Sequence, residues 1–295
     1  RVTVWGLRPW DEPAEGHKGM RAMTGGQAPW NSSAQGVFSA PARSGLGFAL
    51  AGLLWLAHGL AMAATAFSLD HQGTQFDVYR LDPGEEQGLR FFWKRPDGSA
   101  FASIPALRQE LAARGEQLVF AINGGIYSRK LEPLGLFIQD GETLAPLSRG
   151  KGGGNFFLKP NGVFIITSEG AQVVETDHYR PSGQVRNAIQ SGPLLVRDGE
   201  LHPRFIPGYE SRYVRNGVGV DREGRVVFAI SDGEVNFHDF GTLFRDRLHC
   251  PNALYLDGQI SKMYLPELGH YAFWAWRPLV SIIGLTKAAD ESVKP

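Results

Sequence analysis

Residues 253–261 read Ala-Leu-Tyr-Leu-Asp-Gly-Gln-Ile-Ser. The apolar run fits a strand buried in a core, and it stops abruptly at Asp257-Gly258. This sets a carboxylate where a strand leaves the interior, followed by a residue that lets the backbone turn and a ligand approach. Packing alone does not call for an ionisable group at such a rim; a substrate, a metal or a basic partner does. A second segment has the same design: Leu118–Ile122 is apolar throughout and runs into Asn123-Gly124-Gly125. Two strand ends that each deliver a polar residue and glycine predict one shared site.

The chain carries 37 glycines and 18 prolines, mostly between short apolar runs, which is the punctuation of a strand-rich fold. Phe76–Leu81 and Gln87–Trp93 alternate like strands, and Arg95-Pro96-Asp97-Gly98 reads as a turn. Ile104, Leu107, Leu111 and Ala112 recur at helical spacing, with Ser103 to cap the helix and Gly115 to end it. Leu134–Gln139 and Glu142–Pro146 flank a hairpin turn at Asp140-Gly141, and Asn155–Lys159 and Val163–Thr167 flank another at Pro160-Asn161-Gly162. Short strands are expected at Ala188–Gln190, Leu194–Val196, Val218–Val220, Val226–Ser231 and Asn252–Leu256. Phe240–His249 reads as a helix, and Phe273–Gly284 as an apolar segment that closes the sheet. The sum is an α+β class: a mixed, strongly twisted β-sheet with few flanking helices.

Hydrophobic residues make up 43% of the 295 and the formal net charge is zero, so this is a globular composition with no global field for nucleic acid or anionic membrane. The single cysteine, Cys250, excludes an internal disulfide and a cysteine-based zinc site, and reads as a small buried hydrophobe. Residues 1–42 read as a disordered leader or an over-extended start. Residues 43–64 read as a signal peptide: Arg43 precedes an apolar run that ends in Ala61-Met62-Ala63, with cleavage after Ala63 or Ala66. The alternative is an uncleaved membrane anchor. The folded domain is expected over 65–286, periplasmic or secreted and without stable membrane association after cleavage, with a polar tail at 287–295.

Single motifs say little. Asn123-Gly124-Gly125 lacks the lysine and hydroxyl of a phosphate loop. Gly150-Lys151-Gly152-Gly153-Gly154-Asn155 has no Walker spacing; it reads as a mobile loop or an anion-binding nest. Ser191-Gly192-Pro193 lacks the helix that a nucleophile elbow requires. Asp232, Glu234, His238 and Asp239 cluster, but their spacing matches no defined metal motif, so no cofactor is called for beyond a possible divalent cation. His71, His178, His202 and His270 read as solvated loop residues.

The order of the pieces is more specific. The series runs Ile-Asn-Gly-Gly, Pro-Leu-Gly-Leu-Phe-Ile at 133–138, Gln-Ser-Gly-Pro-Leu-Leu-Val, Arg215-Asn-Gly-Val-Gly-Val, Ser231-Asp232-Gly233 and Leu-Tyr-Leu-Asp-Gly. This succession resembles the phosphodiester glycosidase family, in its uncovering-enzyme-like bacterial periplasmic branch, over roughly residues 70–285. The resemblance implies a hydrolase that splits the bond between a sugar's anomeric carbon and a phosphodiester oxygen. It maps Asn123, the Ser191-Gly192-Pro193 segment, Arg215, Asp232-Gly233 and Asp257-Gly258 onto family positions. Two departures, Gln259-Ile260 in place of a glycine pair and Ile126 in place of an aromatic, imply a changed pocket.

Cleavage through an oxocarbenium-like state usually takes two carboxyl groups. Asp257 and Asp232 are the expected pair, with Glu234 as substitute. Substrate binding is expected from Asn123, Gly124, Gly125, Ser191, Gly192, Arg215, Gly258 and Ser261, with Arg215 holding the phosphate and Arg186 or Arg212 assisting. The expected partner is a carbohydrate or glycan phosphodiester. Two other readings stand beside this one: a noncatalytic glycan-binding or envelope-assembly protein on the same fold, and an esterase-like hydrolase using Ser191.

Overall fold

The computed structural model describes residues 64–272 and 277–289. The leader, the signal-like segment through Ala63, residues 273–276 and the tail from residue 290 lie outside the described residues. In chain order the strands are β1 (Thr65–His71), β2 (Thr74–Leu81), β3 (Leu89–Phe92), β4 (Glu116–Asn123), β5 (Phe137–Gln139), β6 (Glu142–Ala145), β7 (Gly162–Thr167), β8 (Gly170–Glu175) and β9 (Val185–Ser191). They continue with β10 (Leu194–Arg197), β11 (Glu200–Leu201), β12 (Asn216–Val220), β13 (Val226–Ser231), β14 (Asn252–Asp257), β15 (Met263–Leu265), β16 (His270–Tyr271) and β17 (Ile282–Ala288). Helix α1 (Ile104–Ala113) precedes β4, and α2 (Phe237–Thr242) precedes β14.

These strands form three sheets rather than the one mixed sheet expected: β1-β2-β13-β12-β14-β10-β11, β16-β15-β4-β17-β3 and β6-β5-β9-β7-β8. Every registered pair among them is antiparallel. Tight turns explain this. Gln72-Gly73, Asp140-Gly141 and Asp198-Gly199 each have two consecutive residues at positive φ, the geometry that joins neighbouring antiparallel strands.

Most expected elements appear, including the Ser103 cap, whose hydroxyl accepts from the Ala106 N–H at 3.2 Å. Two expectations need correction. Asn155–Phe157 is a single helical turn, and β7 forms its hairpin with β8 instead. The helix expected at Phe240–His249 starts earlier, at Phe237, because Asn236 caps it through the Asp239 N–H. It then widens over Leu243–Arg247, where the Leu248 N–H bonds the Leu243 carbonyl at 3.0 Å. β17 lies inside its sheet, between β4 and β3, so the last strand in chain order is a central one.

The three sheets share one core. Phe228 of β13 stands 5.0 Å from the Phe120 ring of β4 and 6.0 Å from the Phe164 ring of β7, so a single side chain touches all three sheets. The opposite face of the seven-stranded sheet is covered by Phe237, Phe240, Leu243 and Phe244, and α1 covers the second sheet through Ile104, Leu107 and Leu111. Both faces of the long sheet are therefore buried, which is why β13 and β14 read as continuous apolar runs. The registers also bring the ends of β13, β14, β4 and β9 and the starts of β12, β10, β7 and β17 to one end of the molecule.

Phe228→Ala empties the junction between the sheets. We expect a loss of about 3–5 kcal/mol of unfolding free energy, measured by urea denaturation.

Candidate active site

β12 and β14 set the site. Asn216 opposes Asp257, but Gly217 opposes Tyr255, so β14 carries one extra residue at this point. Without that bulge, strict alternation would turn Asp257 to the helix-covered face with Tyr255. The extra residue puts it on the core side with Asn216. β4 arrives there from the second sheet and ends at Asn123.

Asn123 is the hub, 2% exposed. Its Nδ2 donates to Asp257 Oδ2 at 3.1 Å. Its Oδ1 accepts from the Lys262 N–H at 2.7 Å and from Asn216 Nδ2 at 3.1 Å. Asn216 Nδ2 also reaches the Asn123 carbonyl at 2.9 Å. The Ser261 hydroxyl donates to Asn216 Oδ1 at 3.3 Å and lies 3.1 Å from the Asp257 carbonyl. On the other oxygen, Asp257 Oδ1 accepts from the N–H groups of Gly258, Gln259 and Ile260 at 2.5, 2.8 and 3.5 Å. Burial pushes the Asp257 carboxyl above the ordinary carboxylate value, and these N–H donors pull it part of the way back. The pKa of the half-buried Tyr127 hydroxyl is raised, first by burial and then by Asp257.

The glycines keep the three sheets close. A side chain on Gly124 would meet Ser281 Oγ at 2.4 Å, and one on Gly125 would meet the Gln190 carbonyl at 3.0 Å. Ser191 is wholly buried, and its hydroxyl donates to the Leu256 carbonyl at 3.2 Å. It ties β9 to β14, so this hydroxyl is committed to holding two strands together rather than turned to a substrate or to the esterase-like chemistry.

Arg215 lies on the other side of the long sheet, fully buried. Its Nε donates to the Val235 carbonyl at 2.8 Å and its Nη2 to the Ser211 carbonyl at 3.0 Å. The Phe237 ring is 3.7 Å from the guanidinium carbon. Nη1 is buried without a hydrogen-bond partner among the described residues. The Tyr255 hydroxyl lies against the guanidinium. Burial lowers the Arg215 pKa, with Tyr255 opposing the shift. Nη1 would stand 3.4 Å from a side-chain carbon placed on Gly258, so the orphan donor faces the Asp257-Gly258 turn.

The structure therefore brings Asn123, Asn216, Asp257 and Ser261 into one cluster and sets Arg215 beside its turn, without an ion pair between Arg215 and Asp257. Asn216 was not singled out in the sequence; its place next to Arg215 at the start of a strand was the available signal. Asp232 and Glu234 leave β13 at the same end but are exposed, and their carboxylates bond nothing in the cluster. Arg186 sits at the opposite end of β9, bonding the Glu86 carbonyl. Arg212 stays on the rim, bonding the Glu234 carbonyl. Among the described residues no three His, Cys, Asp or Glu side chains gather as a metal site; His238 pairs with its neighbour Asp239.

Only His178 of the four histidines read as solvated is exposed on its side chain. His71 bonds Thr242 and His202 bonds the Lys159 carbonyl, both buried. His270 holds Asp77 at 2.5 Å, and Asp77 also accepts from Ser68. Cys250 is buried, and burial raises its thiol pKa.

A family model described as phosphodiester glycosidase matches residues 116–286, which span Asn123, Arg215 and Asp257. The chain belongs to the phosphodiester glycosidase family. It is 34% identical over 227 residues to the uncharacterized protein YigE of Escherichia coli K12, covering 77% of this chain and 88% of that protein. The fold is similar to the zebrafish N-acetylglucosamine-1-phosphodiester alpha-N-acetylglucosaminidase catalytic domain, auto-inhibited by its pro-peptide. The TM-score is 0.53 at 17% identity, over 75% of this chain and 81% of that one. For this phosphodiester glycosidase family member the mostly β architecture is thus shared at the level of fold.

Two outcomes are expected. Because the folded Asp257 pKa is raised, its contribution to stability is complete below the unfolded value near 3.8 and is lost as pH rises through the folded value. The stability gap between wild type and Asp257→Asn should narrow over that rise, read from denaturation midpoints at successive pH values. Asn123→Ala leaves the Lys262 N–H without its acceptor and Asp257 Oδ2 without its side-chain donor, while Asn216 keeps the backbone carbonyl; it should cost about 2–4 kcal/mol by chemical denaturation.

Proposed function

We propose that this protein hydrolyses a sugar-1-phosphodiester, with Asp257 acting at the anomeric centre and Arg215 serving the phosphate. The observation that carries this is a buried carboxylate whose turn faces a buried guanidinium that no carboxylate neutralises among the described residues. A cation left this way is costly unless an anion visits it. The orphan Nη1 is a donor in the right chemistry for a phosphoryl oxygen. Asn123 fixes the Asp257 carboxylate, and its amide cannot flip without facing two donors with its own N–H groups.

Water adds across the anomeric C–O bond. The sugar takes the hydroxyl, and the phosphomonoester leaves with the bonding electrons. Such a leaving group is already anionic and stable, so charge neutralisation by Arg215 matters more than protonation. Asp257, with its raised pKa, is suited to proton transfer at the sugar or the attacking water. Asp232 supplies the second carboxylate if the loop after β13 folds inward over substrate, with Glu234 as its substitute. The substrate is a glycan phosphodiester met outside the cytoplasm; the support for export is the signal-like pattern at 43–64. Among the described residues no helix is long and apolar enough to cross a membrane.

A noncatalytic glycan-binding role is the second reading. Three backbone N–H groups saturate Asp257 Oδ1, as in a turn-forming aspartate, and Gln259-Ile260 alters the rim.

The test is release of reducing sugar from sugar nucleotides and aryl sugar-1-phosphodiesters. Wild type should turn over at least one. Asp257→Asn and Arg215→Lys should each lower kcat/KM by about a thousandfold, as expected for groups that act on developing charge, with circular dichroism unchanged. Binding without product release would replace the hydrolase reading by the second one.

A further inference from the structure

The glycine-rich loop between β6 and β7 is not used by the mechanism above. We infer that Lys151 in this loop is a second phosphate-binding cation, which closes over the anion that Arg215 meets from below. This rests on the hydrolase reading and names a further specificity-determining residue for it.

Both stems of the loop are fastened to walls of the site. At one stem, the Ser148 N–H donates to Gln190 Oε1 at 2.9 Å and its carbonyl accepts from Gln190 Nε2 at 2.7 Å. Gln190 precedes Ser191, which bonds the carbonyl next to Asp257, and its own carbonyl packs on Gly125. At the other stem, the Asn155 side chain lies beside the Tyr255 hydroxyl, which lies against Arg215. The loop therefore runs from the Gly125 wall to the Arg215 wall, at the end of the molecule where β14 delivers Asp257.

Between the stems the backbone packs on the Phe157 ring at Gly152, but no backbone N–H ties it down among the described residues. The N–H groups of residues 149–154 donate to no described residue. Lys151 is exposed, and its ammonium has no hydrogen bond or ion pair among the described residues. Arg149 differs: it reaches the Thr176 carbonyl and stands 3.9 Å from Asp177, which leaves Lys151 as the free cation of the loop among the described residues. Space around Gly153 is open, so the backbone can turn its N–H groups inward as an anion nest. The buried, unpartnered Nη1 of Arg215 is the independent sign that an anion belongs beneath this loop.

The experiment measures binding of glucose 1-phosphate and N-acetylglucosamine 1-phosphate by calorimetry, with the parent sugars as neutral controls. Trypsin cleavage after Lys151 is followed in parallel. Lys151→Ala should weaken the sugar phosphate about tenfold or more and leave the neutral sugar unchanged, and Lys151→Arg should restore most of the affinity. Saturating sugar phosphate should slow trypsin cleavage at Lys151 in wild type. Equal affinity in wild type and Lys151→Ala, or cleavage at an undiminished rate, overturns the role of Lys151 while the hydrolase reading stands. Wild-type protein that binds neither sugar phosphate and turns over no phosphodiester overturns both.

Discussion

The structure depends on the side-chain amide of Asn123. It holds β4 of the second sheet to β12 and β14 of the first, through Asn216, Asp257 and the Lys262 N–H. Each of its atoms has a fixed role, because the oxygen takes two donors and the nitrogen gives to the carboxylate. A polar group this deeply buried is tolerated only when its bonds are made. Here the bonds that stabilise the junction also hold the carboxylate that the proposed chemistry uses. Stability and the proposed chemistry therefore rest on the same atoms.

Around that amide, packing does the rest. Phe228 lets three sheets share a core, and Gly124 and Gly125 let β4 approach β9 without a side chain between them. Arg215 sits on the far side of the long sheet, among Phe237, Tyr213 and Tyr255, so among the described residues its charge is shielded by rings rather than matched by a carboxylate. An aromatic cage of this kind keeps the guanidinium in place and leaves one donor uncommitted.

Much of this was legible in the residues. Apolar runs ending in Asp257-Gly258 and Asn123-Gly124-Gly125 located the two halves of the cluster, since strands that leave one core at a common rim bring their terminal polar residues together. The alternation in Phe76–Leu81 and the Ser103 cap were equally plain. Three things were not. The bulge in β14 depends on pairing with β12, and a period-two pattern within one strand does not encode it. The turn at Asn155–Phe157 looked like a strand because Phe156 is buried by tertiary contacts, and periodicity over so short a segment does not separate the two. Asp232 looked equivalent to Asp257 in sequence, yet it is exposed at the β13 exit, whereas Asp257 is held by Asn123 of the second sheet.

Ser68, Asp77, Ile230, Asn216 and Asp257 form a single lateral row across five neighbouring strands. At one end of the row His270 grips Asp77, and at the other Asn123 grips Asp257. His270 and Asn123 both belong to the second sheet, so the two layers are riveted at a pair of points with the greasy Ile230 in the gap. Sliding one layer over its neighbour means breaking both rivets at once, and the Asn123–Asp257 junction keeps its alignment for as long as either survives.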